Sequence, residues 1–306
     1  MKGSDKRIWI RRDSGLILPD GIVSSRGNSS SLTYLQVKEK ALAVEDLYAT
    51  SGVLLPSTCG LARLIANAKG FSDAWLVGKD ETLTFKQQLH LDYFSRVADA
   101  VLPLGQIPDR ARFLNDLTMG DLDILERNKS KAKDVLWEIE LWSILKRQGH
   151  DANLAEPDIV VDVDGCKIGI ACKKLYSERN VEKVLSQAVG QIEPSFEFGI
   201  AAINLDDRLE PDHILRQPTK DTVCAVLGNF NCAFLQRNDR HFRKYLAKGR
   251  LVSALVSTCV LADTFRERTR IHSARQWTLW TIPGLPENTE RLLNTFYGGF
   301  LNYTQP

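Results

Sequence analysis

Asp164-Gly165 sits between two short runs whose apolar residues alternate, Ile159–Val163 and Lys167–Lys173. Asp-Gly suits the positive-φ positions of a two-residue hairpin, and alternation over that length marks strands with a buried face. The neighbouring segments set the context of this hairpin. Asp134–Gln148 has helical spacing and ends at Gly149, a stop signal. Val181–Ile192 is helical again, Phe198–Leu205 is a buried strand, and a basic helix is expected at Asp239–Lys248. Strands at Leu251–Leu261 and Gln276–Ile282 complete the pattern. Helix, hairpin, helix, strand is an α/β order, and it places the core in the second half of the chain.

Residues 1–125 read differently. Ile8, Ile10, Ile17 and Leu18 suggest short strands before a polar loop at Gly27–Ser31. From Tyr34 to Arg127 apolar residues recur every three or four positions, as in Leu35, Leu42, Val44 and Leu47, and Pro56, Pro103 and Pro108 punctuate the helices. No chemistry stands out here, and Asp116, Asp121 and Asp123 are expected on solvated helix faces. The chain thus divides into a mostly helical region, 1–125, and an α/β domain, 126–306.

The chain has 306 residues, of which 43% are hydrophobic, enough for a sizeable core. Its 40 Lys+Arg nearly balance 38 Asp+Glu, which excludes a histone-like tail and an acidic solvating chain. No apolar run approaches the ~20 residues of a membrane helix. The basic opening MKGSDKRIWIRRDSG is not followed by the apolar segment of a secretory signal. A soluble, cytoplasmic protein with no membrane partner is expected. The 6 cysteines are scattered without a C-x-x-C pair and the 5 histidines do not cluster, so neither a zinc site nor a disulfide framework is expected.

Three features converge between Trp137 and Lys173. Glu138 shares a helix face with Val135, Trp142 and Leu145, where a carboxylate is costly unless it is paired or binds a cation. A bond to backbone or arginine at the boundary of the face is the alternative. Glu140 lies about 200° further round and is expected to face water. Glu156-Pro157-Asp158 opens the first hairpin strand, where Pro157 constrains the backbone that presents Asp158. On the second strand Gly169, Ala171 and Lys173 share a face, so small neighbours leave room beside the Lys173 ammonium. Lys173 is otherwise a snorkelling lysine, a duty for which Lys174 is also available.

EPDIVVDVDGCKIGIACKK, preceded by WEIELWSILKRQGHD and followed by QAVGQI, resembles the core of the PD-(D/E)XK, or restriction-endonuclease-like, nuclease superfamily. The resemblance covers about Asp134–Leu205. It implies a restriction-endonuclease-like mixed sheet flanked by helices, with Glu138 as the helix carboxylate, Asp158 as the central metal-binding aspartate and Lys173 as the motif lysine. Gln187 and Gln191 resemble the glutamines on the helix behind the site. The implied cofactor is Mg²⁺, with Mn²⁺ as a substitute, held by Asp158, Glu138, the residue at 171 and the backbone carbonyl of Cys172. Position 171 departs from the pattern: the family expects Glu or Asp, and this chain has Ala171. Either a deliberate Glu→Ala change or natural loss explains it, and the intact remainder of the motif favours the deliberate change.

The implied function is metal-dependent hydrolysis of DNA, in a catalytically disabled form, within a prokaryotic restriction or antiphage setting; RNA remains open as a substrate. The alternatives are a non-catalytic nucleic-acid-binding pseudonuclease and a scaffold subunit whose helical region binds a partner protein or a second copy. Gln236–Arg275 is the densest basic stretch, with ten Lys and Arg against three Asp and Glu. Arg240, Arg243, Lys244 and Lys248 recur at helical spacing, as a phosphate-tracking stripe or an ordinary solvated face. Trp277 and Trp280 are expected to pack the core rather than stack on bases.

Overall fold

The computed structural model describes residues 9–11, 17–19, 25–26, 34–78, 84–210, 213–266, 273–282 and 284–302. Ile8, the Gly27–Ser31 loop and the basic positions Arg268 and Arg270 lie outside them. Strands β1 (Trp9–Arg11) and β2 (Ile17–Pro19) fall where Ile10, Ile17 and Leu18 predict them and pair antiparallel, and β3 (Ser25–Arg26) joins the main sheet. Helices α1 (Tyr34–Thr50), α2 (Gly60–Leu76), α3 (Phe85–Val101) and α4 (Arg110–Leu117) follow. Thr84 and Gln87 close a capping box on α3, satisfying amide groups its first turn leaves unpaired. Asp121 and Asp123 lie in the segment after α4 rather than on a helix face: each carboxylate accepts a backbone N–H two residues on, an arrangement that favours a turn over a helix.

The α/β half begins with α5 (Lys131–Arg147), then β4 (Asp151–Ala155), β5 (Asp158–Val163) and β6 (Cys166–Lys174). Asp164 and Gly165 both adopt positive φ, 53° and 81°, as a tight hairpin between β5 and β6 requires. Next come α6 (Val181–Ile192), β7 (Phe198–Asn204), β8 (Ile214–Gln217), α7 (Lys220–Arg237), α8 (Asp239–Leu246), β9 (Ser253–Thr264), β10 (Ser273–Trp280) and α9 (Glu287–Asn302). The basic helix therefore ends before Lys248. Gly249, at φ 67°, donates its N–H to the Leu246 carbonyl and turns the chain out of the helix.

Eight strands form one mixed sheet in the order β3-β10-β9-β7-β6-β5-β4, with β8 pairing along the second half of β9. The β4–β5 and β5–β6 pairs are antiparallel, whereas β6–β7 and β7–β9 are parallel. Every residue of β9 and β10 is buried, as expected of strands covered on both faces.

The two faces bury separate clusters. Ile159, Ile170, Ala202 and Leu255 face α5 and share one continuous apolar cluster with Val44, Phe94 and Leu114 of the preceding helices. Ala171, Ala201 and Ala254 face the other way, toward Leu185 and Ala188 of α6 and Phe242 of α8. Gly199 lets α6 approach closely, because a Cβ there would collide with Ile192.

Candidate functional site

The antiparallel register that pairs Ile159 with Ile170 sets the start of β5 beside the end of β6. There Asp158 Oδ2 accepts the Cys172 backbone N–H at 2.7 Å and Lys173 Nζ at 3.1 Å. Lys173 Nζ also donates to the Cys172 carbonyl at 2.9 Å, so the ammonium is tethered at two points. The Lys173 and Asp158 side chains remain 18% and 14% exposed, which leaves the pair reachable from solvent.

Glu138 comes to this pair from α5. Burial pushes its carboxyl up to about 8, and the Asp158 carboxylate adds to the rise while Lys173 opposes it. Burial raises Asp158 as well, with Lys173 and the Cys172 N–H pulling it back. The Lys173 ammonium is thus balanced by the Asp158 carboxylate, and Glu138 beside them stays protonated up to about pH 8.

Gln191 Nε2 donates to the Pro157 carbonyl at 3.4 Å, tying α6 to the residue before Asp158. Gln187, one turn earlier, lines a groove between α6 and α8 instead. Ala171 is wholly buried among the apolar residues facing α6, and its strand partner is Ala201. It lies on the face of Lys173 but offers no donor. The Cys172 side chain is buried in the opposite core, where burial drives its thiol well above the usual range and Asp158 and Glu138 add to the rise; only its backbone makes hydrogen bonds in the site.

The groups present fit a hard divalent cation in kind: carboxyl oxygens from Asp158 and Glu138 and a carbonyl at Cys172. They supply one carboxylate fewer than the motif expects. Among the described residues no three His, Cys, Asp or Glu side chains are grouped to hold a metal.

Two neighbouring residues depart from expectation. Glu140 does not face water; its side chain is 5% exposed and bridges Arg96 at 2.8 Å and Arg275 at 2.6 Å. The reason is that α5 is covered by the sheet on one side and by α3 and α4 on the other, so it has no solvated face. Lys174 does not snorkel either. It is 6% exposed and holds Asp207 and Asn204, each at 2.7 Å, while Lys133 approaches Asp207 from α5 at 3.3 Å. Successive lysines at the end of β6 therefore serve opposite faces, each with its own carboxylates. The one signal in the sequence for this second, buried polar cluster is Asp206-Asp207 just past an apolar strand.

The basic positions do not form one free stripe. Arg240 is exposed beside His241, Arg243 is locked to Asp239 at 2.7 Å, and Lys244 reaches Glu182 at 3.3 Å. Lys248 is exposed beyond the helix end, and Arg275 is buried with Glu140. Trp277 packs on Trp137 with ring centroids 5.6 Å apart, and Trp280 meets Phe242 at 5.3 Å, both in the core.

A carboxyl raised in the folded state binds its proton more tightly there than in the unfolded chain. Glu138 therefore costs no folding free energy below about pH 4.5, and its cost grows through the window up to about 8. Glu138→Gln should be about 2–4 kcal/mol more stable than the parent chain at pH 9, and equally stable at pH 4. Urea denaturation at the two pH values measures this; an unchanged difference between them would place Glu138 in water.

No family model, curated protein or solved structure matches this chain.

Proposed function

We propose that the chain is built on a nuclease framework of the PD-(D/E)XK kind and that its site is arranged for phosphodiester hydrolysis in DNA, held back by Ala171. The observation that carries this reading is the 3.1 Å Lys173–Asp158 bond beside a Glu138 that feels both charges. These three residues come from three elements, and Glu138 lies near enough to the solvent-reachable Asp158–Lys173 pair to feel both charges. The order α5-β4-β5-β6-α6-β7, antiparallel within β4–β6 and parallel from β6 to β7, supports the same framework.

Asp158, Glu138 and the Cys172 carbonyl would hold Mg²⁺ or Mn²⁺, which when bound supplies charge neutralisation and a more acidic water. Lys173, fixed by two acceptors, presents its ammonium where negative charge develops on a phosphate oxygen. Glu138 retains a proton near neutral pH in the absence of a cation. Gln191 holds the Pro157 backbone and with it the orientation of Asp158.

A second reading, polynucleotide binding without cleavage, is favoured by one observation: the Ala171 methyl is fully enclosed by apolar neighbours. Plasmid and single-stranded DNA separate the two when incubated with Mg²⁺, Mn²⁺ or EDTA. The parent chain, Ala171→Glu, and Ala171→Glu with Lys173→Ala are compared. Metal-dependent cutting by Ala171→Glu alone is the expected result. A folded Ala171→Glu that cuts nothing leaves the binding reading.

A further inference from the structure

The exposed side of α6 runs from a groove to the Asp158 site. Val181, Leu185, Ala188, Val189 and Ile192 bury the inner face of this helix. Lys183, Gln187 and Gln191 follow one another at one-turn intervals on the outer face, and all three are exposed. Ser186 and Gly190 lie between them, and a Cβ at Gly190 would meet open space. The outer face is therefore low enough for a ligand backbone to approach.

At its far end this face forms one wall of a groove of about 490 Å³, lined also by Arg179 and by Lys244 of α8. Its three cations face a single lining carboxylate, Glu182. Glu182 is already engaged by Lys244 at 3.3 Å and lies 3.9 Å from His241. Arg179 and Lys183 are exposed and have no ion-pair partner among the described residues. Gln187 lines the groove, and Gln191, about 6 Å further along the helix, bonds the residue preceding Asp158.

We propose that the α6–α8 groove holds the sugar-phosphate backbone of a polynucleotide, with Arg179, Lys183 and Lys244 on its phosphates, and that α6 leads the strand to Asp158. This rests on the reading of the Asp158 site as one for phosphodiesters. It keeps only Lys244 of the α8 stripe, where Arg243 is neutralised by Asp239, and adds the α6-side cations Arg179 and Lys183.

The test uses the intact chain in EDTA, with binding read as fluorescence anisotropy of a labelled single-stranded oligonucleotide and of the matching duplex across a salt series. Arg179→Ala with Lys183→Ala removes two charges from the groove, and Lys146→Ala with Arg147→Ala removes two from the exposed end of α5. The groove variant is expected to bind about 25- to 60-fold more weakly at 0.1 M salt, with the slope of log K against log salt reduced by about 1.4–1.8. The α5 variant should bind like the parent, and the tighter of the two probes identifies the strand form that fits. Equal loss in both variants, an unchanged slope in the groove variant, or no binding by the parent would overturn the groove. The catalytic reading fails separately: if Ala171→Glu cuts nothing while binding still depends on Arg179 and Lys183, the groove stands and the nuclease assignment falls. If Ala171→Glu cuts with the same KM whether or not the two cations are present, the nuclease stands and the groove falls.

Discussion

Ala171→Glu is expected to unfold more easily than the parent chain in EDTA and to regain most of the difference in Mn²⁺. The Ala171 side chain is fully buried against α6, on the face shared with Lys173 and Asp158. A glutamate there adds a second carboxylate beside Asp158, whose charge Lys173 already balances, and places it among apolar neighbours, so desolvation and repulsion act together. A loss of about 3–5 kcal/mol follows for a poorly compensated buried charge. A cation bound to the folded state alone returns RT ln(1 + [L]/Kd), about 2.7 kcal/mol at a hundredfold excess over Kd. Urea denaturation of both proteins with Mn²⁺ and with EDTA measures this without any substrate. The parent should respond weakly to the ion, because it lacks the third carboxylate. Destabilisation that Mn²⁺ does not relieve would mean that the 171 carboxylate points into the apolar cluster and that the site is not a metal site.

The parts of the fold legible in the sequence were those encoded by local patterns. Asp164-Gly165 needs two positive-φ positions, and only a tight turn supplies them cheaply. The buried strand β7 and the amphipathic α6 announce themselves by composition and period. β4 did not, because its exposed Asp151, Asn153 and Ala155 are poor strand formers and its single well-buried residue, Ala152, is small. The end of α8 is hidden for a related reason: Lys248 continues the basic spacing, but the helix stops at Leu246 and Gly249 turns the chain away.

The candidate site shows the same division. Glu138, Asp158 and Lys173 could be chosen because each breaks a local expectation: a carboxylate on an apolar face, an acidic residue fixed by proline, a lysine among small strand neighbours. Their coupling depends on register and could only be seen once β5 and β6 were paired. Glu140 departs from the helical-wheel expectation because a wheel assumes one dry side and one wet side. With α3 and α4 packed outside α5, the supposed wet side became an interface, and its partners Arg96 and Arg275 are too distant in sequence for any spacing rule to connect. Arg275, counted in sequence among the basic surface, instead neutralises that carboxylate.

Glu140→Ala should cost about 3–5 kcal/mol, the range for removing one member of a buried ion pair and leaving charges uncompensated. The carboxylate joins α5 to Arg96 of α3 at 2.8 Å and to Arg275 of β10 at 2.6 Å. Burial alone would raise it, but Arg275 and Arg96 overcome that and hold it below the usual carboxylate range. Its contribution is therefore complete above the unfolded value near 4.5 and is lost only as pH falls through the lower folded value. At about 2.1 cal/mol/K of unfolding entropy per residue, the loss corresponds to a melting point about 5–8 °C lower at neutral pH. Arg275 is 2% exposed and would keep only the weaker attraction of Asp206, whereas the Arg96 side chain is 21% exposed. Pairing Glu140→Leu with Arg275→Met should therefore recover most of the stability, because it removes the stranded charge along with its partner. Thermal melts of both variants across pH 4–8 test this. A Glu140→Ala loss below about 1 kcal/mol is the range of an exposed pair, and it would show that both guanidinium groups are hydrated and that α5 does have a wet side.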